Sequence, residues 1–279
     1  MKTRSPAVAG TFYPGRGTEL ADCVEELVAG AVAGTNSSRP KVLIVPHAGY
    51  SYSGPIAASG YCLLHAQRQS ISRVVLLGPA HRMYVAEMAL PSARFFATPL
   101  GEVPIDEGAV TEALTLPGVV ISDEAHAAEH SLEVHLPFLQ MMLDSFELLP
   151  VVVGQCSAER VATLLDVFWG GDETLIVVSS DLSHYLPYAE ARATDARTTG
   201  LIAQLSGNLT GEQACGAHAI NGLMRVAQRR ALHVEVLDVR NSGDTSGERS
   251  RVVGYGSYAL AAPRAPGGII RTGDHVQRR

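Results

Sequence analysis

Residues Thr174–Asp181 read TLIVVSSD, a continuous apolar, β-branched run that breaks off into three polar residues. A strand with one wet face alternates apolar and polar residues. A short unbroken run suits a strand buried on both faces, as in a parallel sheet covered by helices. Four further runs share this character: Lys41–Pro46 (KVLIVP), Arg73–Pro79 (RVVLLGP), Glu147–Gly154 (ELLPVVVG) and Arg251–Ala259 (RVVGYGSYA). His233–Arg240 (HVEVLDVR) alternates and reads as a strand nearer an edge. Between the runs, helical patterns span Glu19–Ala33, Pro55–Gln67, Glu107–Leu114, Pro137–Phe146, Ala158–Phe168, Pro187–Leu205 and Glu212–Arg230. This alternation predicts an α/β fold of three layers, α/β/α, around a central, at least partly parallel sheet.

No repeat or low-complexity linker divides the chain, so the sequence predicts one domain over residues 1–262 and a frayed tail, Pro263–Arg279, that lacks periodicity. The 279 residues are 46% hydrophobic and 18% charged, enough for a large core. Net charge is −6 and the basic residues are scattered, which leaves no electrostatic footprint for nucleic acid. Met1–Gly10 does not resemble a signal peptide and no apolar run is long enough to span a bilayer, so a cytoplasmic protein with no membrane partner is expected. Cys23, Cys62, Cys156 and Cys215 form no CxxC pair, which argues against a zinc knuckle or a disulfide framework. The first three fall on apolar patterns and read as core.

In open α/β sheets, ligands bind beyond the carboxyl ends of the strands. Here KVLIVP runs into His47-Ala48-Gly49-Tyr50, RVVLLGP into Ala80-His81, and TLIVVSS into Asp181-Leu182-Ser183-His184-Tyr185. One such histidine would read as a structural residue; three at equivalent strand ends predict a shared site, with imidazoles suited to zinc, iron or copper. Asp181 reads either as a carboxylate of that site or as the cap of a following helix. Glu129–Phe138 (EHSLEVHLPF) carries Glu129, His130, Glu133 and His135. Pro137 disfavours a helical Leu136, so a helix is expected from Pro137, with these polar residues on a preceding loop or turn, facing the crevice or solvent. Cys215 opens a helical pattern at Cys215-Gly216-Ala217-His218, where backbone amides favour a thiolate; inert packing is the alternative. Asn241–Gly247 (NSGDTSG) reads as a loop of small residues between two strands. No Gly-rich fingerprint follows a first strand, which disfavours NAD or FAD.

Arg4–Pro14 (RSPAVAGTFYP), Pro46–Gly54 (PHAGYSYSG), Gly78–His81 (GPAH), Glu129–Leu139 (EHSLEVHLPFL), SSDLSHY, Cys215-Gly216 and the NSGDTSG…VVGYGSYA ending together resemble the MEMO family, whose prokaryotic members are labelled AmmeMemoRadiSam system protein B. The resemblance runs in order from Arg4 to Ala259. It implies a fold like that of the class III extradiol ring-cleaving dioxygenases, which hold one non-haem Fe(II) with two histidines and a glutamate. By this resemblance His47, His81 and Cys215 are metal ligands, Cys215 standing where the dioxygenases have the glutamate; His184 and His130 are acid/base groups, and Asp181 orients or supplements the site. Thiolate in place of carboxylate changes the metal preference, so copper or zinc are alternatives to Fe(II), and ring cleavage does not follow automatically. The implied function is a mononuclear non-haem metal oxidoreductase acting on a small-molecule or peptide substrate, aromatic by analogy, with a pathway link to a radical-SAM enzyme. The alternatives are a metal- or peptide-binding module without turnover, or a metal-dependent hydrolase.

Overall fold

The computed structural model describes residues 2–32 and 39–263; residues 264–279 of the expected tail lie outside them. All six anticipated strands are present, their ends displaced by a residue or two. They belong to one nine-stranded sheet whose order is His184–Leu186, Val252–Ala261, Val42–Val45, Thr174–Ser179, Arg73–Pro79, Glu147–Val153, Met88–Leu90 and Val119–Ile121, with His233–Asn241 paired alongside Val252–Ala261. The four strands from Val42–Val45 to Glu147–Val153 are mutually parallel, and Val252–Ala261 is antiparallel to Val42–Val45.

Side-chain alternation divides the core into two layers. Val42, Ile44, Ile176 and Val178 pack on one face with Val161 and Leu165 of helix Ala158–Val167 and Ile220 and Leu223 of helix Ala217–Arg229. Leu43, Val45, Leu175 and Val177 pack on the other with Leu20 and Val24 of helix Gly17–Ala29, Ala57 and Ala58 of helix Tyr50–Tyr61, and Leu139 of helix Leu136–Met142. The central strands are apolar throughout because both faces are covered. Among the described residues, no helix is long and apolar enough to cross a membrane.

Several local expectations are overturned by tertiary contacts. The second helix begins at Tyr50 rather than Pro55, because the Tyr50 amide donates to Phe12 O (2.7 Å) and its hydroxyl to Val134 O (2.7 Å). Pro55 is accommodated inside it. Leu136 is helical despite Pro137, and a 3-10 turn at Glu133–His135 leads directly into Leu136–Met142. The helix expected from Glu212 starts at Ala217. NSGDTSG is not an open loop: Ser242–Thr245 is a helical turn closed by a capping box between Asn241 and Asp244. The strands Thr3–Arg4, Phe95–Thr98 and Gly101–Pro104 form a separate small sheet that gave no sequence signal, being too short for a period to show.

Gly222 sits where helix Ala217–Arg229 crosses Ala158–Val167; a Cβ there would lie 2.4 Å from Val161 Cβ. Val161 is fully buried and has no room to withdraw. Gly222→Ala is therefore expected to destabilise the protein, because overpacking of about 1–3 kcal/mol outweighs the roughly 1 kcal/mol gain in helix propensity. Urea denaturation measures the balance, and a variant at least as stable as the parent contradicts it.

Arg4 is buried and anchors the N-terminal segment, donating from Nε to His126 O (2.8 Å), from Nη2 to Glu129 O (2.6 Å) and from Nη1 to Glu133 Oε2 (2.6 Å). His126 is itself buried, its Nε2 3.0 Å from Ala89 O. Burial lowers its pKa from 6.5 to about 4, the bond to Ala89 opposing only in part. The unfolded chain thus binds a proton on this residue that the folded protein refuses, so stability should fall as pH drops from about 6.5 towards 4. The slope contributed is on the order of 1 kcal/mol per pH unit. His126→Gln keeps a donor for Ala89 and should remove that share of the acid sensitivity; identical pH profiles for variant and parent would show that His126 is not its source.

Candidate metal centre

Strands Val42–Val45, Thr174–Ser179 and Arg73–Pro79 are parallel neighbours, so their carboxyl ends open at one edge of the sheet. A cleft of about 510 Å³ lies there, and His47, His81, His130, Asp181 and His184 all line it. Its remaining wall includes Phe12, Tyr52, Arg82, Tyr185 and Tyr255. The strand ends therefore bring together the residues that the sequence placed there, as the crossover geometry of parallel sheets requires. His184 differs from the other two histidines in opening a short strand of its own, His184–Leu186, paired with Val252–Ala261.

Within the cleft, ligand atoms of His47, His81 and His130 lie within 4.8 Å of one another. Their ring centroids are 4.9–5.5 Å apart. The second nitrogen of two rings is held from behind. His47 Nδ1 is 2.6 Å from Ser179 Oγ, and His81 Nδ1 is 3.2 Å from Glu129 Oε1, so with a hydrogen on Nδ1 the Nε2 of each ring is the lone-pair position. Glu129 also accepts from the amides of His81 (2.6 Å), His130 (2.9 Å) and Ser131 (2.9 Å). Burial alone would raise this carboxyl, but those hydrogen bonds outweigh it and hold it at about 2. Glu129 is thus a fixed anion behind two imidazoles.

Burial, reinforced by the neighbouring histidines, holds the His47 pKa well below 6.5. Burial also lowers His130 to about 4, against the pull of Glu129. Both are neutral imidazoles at ordinary pH, the form that binds metal. His130 Nδ1 is buried without a hydrogen-bond partner, 3.3 Å from Glu129 Oε1 but out of line with it. Three convergent imidazoles, two of them oriented from behind, fit a first-row transition metal.

Cys215 lies beside His47, its Sγ 3.4 Å from Nε2, but it is not one of the three residues whose ligand atoms are mutually close. It precedes the helix rather than opening it, since Gly216 is the cap residue of Ala217–Arg229. A Cβ on Gly216 would lie 2.6 Å from Ser179 O, so only glycine lets this loop dock against the strand end. Burial, and then the Asp181 carboxylate, push the thiol pKa up, so in the protein alone Cys215 is a thiol rather than the thiolate expected of a helix terminus. Asp181 caps no helix; it accepts from the His47 amide (2.8 Å) and lies 3.9 Å from His47 Nε2. Burial pushes it up to about 7, opposed by the amides of His47 and Ala48. His184 is lowered by burial.

The EHSLEVHLPF segment is neither a solvated turn nor a row of cleft residues. Only His130 reaches the cleft, while Glu129, Glu133 and His135 are buried behind it. Glu129 and His135, which the sequence allowed to face the crevice or solvent, act from behind it, and Ser179 is the residue of this surround that sequence reasoning missed. Ser179 had one signal: it continues the i, i+2 row of Leu175 and Val177, a polar residue on a buried face.

The sequence model of the family described as Memo-like protein matches residues 4–259. A MEMO1 family protein of Aquifex aeolicus (strain VF5) is 37% identical over 271 residues, covering 91% of this chain and 98% of its own length. One from Ignicoccus hospitalis is 36% identical over 286 residues, covering 94% and 100%. One from Metallosphaera sedula is 33% identical over 274 residues, covering 90% and 97%. These matches take in every strand end that lines the cleft, and the chain belongs to the Memo-like family.

Proposed function

We propose that His47, His81 and His130 hold one first-row transition metal, and that the chain is a non-haem oxidoreductase of the cytoplasm acting on a small-molecule or peptide substrate. The observation that carries this reading is the convergence of three imidazole ligand atoms, mutually within 4.8 Å, in the wall of a cleft of about 510 Å³. Imidazole suits iron, copper and zinc alike. The resemblance to the extradiol dioxygenases makes Fe(II) the proposed ion, with copper or zinc as alternatives. When bound, such an ion supplies Lewis acidity and, for iron or copper, electron transfer.

The protein's own part is to orient and to exchange protons. Ser179 and Glu129 hold His47 and His81 in place. Phe12, Tyr52, Tyr185 and Tyr255 offer flat walls to an aromatic group. His184 lines the cleft without belonging to the trio, which suits it to proton transfer with a bound substrate. The link to a radical-SAM enzyme rests on the family resemblance.

Metal analysis of protein purified anaerobically from its own host tests the ion. O₂ consumption by the Fe(II)-loaded protein, compared with the free ion, tests the redox reading. A rate no faster than the free ion leaves a binding module, and turnover with zinc under anaerobic conditions would make the protein a hydrolase. The trio further predicts that His130→Ala loses metal, whereas His184→Ala keeps it and lowers turnover by at least about a hundredfold. If His130→Ala retains full metal, His130 is a proton-transfer group and Cys215 becomes the third ligand.

A further inference from the structure

Behind His47 lies a dry cluster whose hydrogen bonds can be assigned completely. Ser179, Ser131 and His135 are 0% exposed and His47 is 1% exposed, so water does not compete for these groups. Ser179 Oγ has three polar neighbours: Ser131 O at 2.6 Å, His47 Nδ1 at 2.6 Å and His135 Nε2 at 2.7 Å. A serine hydroxyl has one proton and two lone pairs. A carbonyl oxygen can only accept, so at 2.6 Å from Ser131 O the hydroxyl proton must point there; any other direction would press two lone pairs together. Both lone pairs of Ser179 then face imidazole nitrogens, and both nitrogens must carry hydrogen. His47 is thereby the Nδ1–H tautomer, and its Nε2 carries the lone pair, with the Cys215 Sγ 3.4 Å away. His135 is the Nε2–H tautomer, consistent with its Nδ1 being buried with no partner.

We propose that Ser179, held by Ser131 and saturated by His135, is the positioning residue that fixes His47 in its metal-binding tautomer. The role of His47 as a ligand rests on the function proposed above, but the tautomer does not. His135 contributes by donating into the second lone pair, which reinforces the hydroxyl orientation that its bond to Ser131 O sets. The three residues come from different parts of the chain. Ser179 ends a central strand, His135 closes the 3-10 turn Glu133–His135, and His47 follows the neighbouring strand Val42–Val45. The buried histidine of the EHSLEVHLPF segment thus acts on the centre through a serine that the metal never touches.

The test uses the full-length, metal-free protein labelled with ¹⁵N-histidine, in which two-bond ¹H–¹⁵N correlations distinguish Nδ1–H from Nε2–H. The His47 signals are identified by their loss in His47→Gln. We expect a single Nδ1–H tautomer for His47 in the parent and a mixed or inverted one in Ser179→Ala. An Nε2–H or averaging His47 in the parent overturns the proposal without any variant having to fold. Competition titration with Zn(II) provides the second readout. Ser179→Ala should lose about 10–100-fold in affinity, the range for removing a partner behind a ligand, and Ser179→Thr should recover most of it. Folded Ser179→Ala that binds Zn(II) like the parent also overturns the proposal. A parent that shows the Nδ1–H tautomer but binds no Zn(II) supports this positioning role and sinks the metal-site reading instead.

Discussion

His81→Ala is expected to lose more than about a hundredfold in affinity for Zn(II) or Fe(II) while keeping its fold and melting behaviour. Removing a partner behind a metal ligand costs about 10–100-fold, and removing the ligand itself should cost more. His81 is the cleaner choice of the two strand-end histidines. Its side chain is 28% exposed and hangs on Glu129, so truncating it opens no cavity in the core. His47→Ala should lose metal as severely, but it also removes a fully buried ring and leaves one lone pair of Ser179 unpaired. Its loss of binding must therefore be read beside its stability, which is expected to fall by about 1–3 kcal/mol for the unsatisfied polar group. Equal metal content in His81→Ala and the parent, measured after equilibration with excess ion and desalting, would remove the centre from this cleft.

The largest expected stability effect lies at Glu133. Its carboxylate is fully buried and accepts four hydrogen bonds: from Arg4 Nη1 (2.6 Å), Ala7 N (2.7 Å), Val8 N (3.0 Å) and Tyr13 Oη (2.6 Å). Glu133→Ala strands the Arg4 charge in the interior, which costs about 3–5 kcal/mol because no solvent replaces the lost partner. At roughly 2–4 °C per kcal/mol for a chain of this size, the melting temperature should drop by on the order of 10 °C. The change also bears on the cleft. Residues 7–13 carry Phe12, which packs on the His130 ring at 4.9 Å and accepts the Tyr50 amide. Metal affinity is therefore expected to weaken along with stability. A Glu133→Ala protein within 1 kcal/mol of the parent in urea denaturation would show that Arg4 finds water or another acceptor.

The sequence by itself determined the layered architecture and the place of the site. Runs such as TLIVVS suit burial on both faces, and parallel strands need long crossover connections for which the sequence supplies helical patterns, so the three-layer fold follows from local composition. Polar residues at the carboxyl ends of such strands meet at one edge, which is why His47, His81 and Asp181 were legible as neighbours. Tertiary structure decided which donors converge. Pro137 argued locally against a helical Leu136, yet anchoring of Glu133 by Arg4, distant in sequence, winds the segment into a 3-10 turn and brings His130 beside His47 and His81. Cys215 was placed by the docking of Gly216 on Ser179, a backbone approach that sequence spacing does not encode. The hydrogen-bond partners of Ser179 come from three separated segments. A periodic pattern reports which face of an element is buried; it does not report which buried polar atoms from distant elements must satisfy one another, and that pairing is what orients the imidazoles.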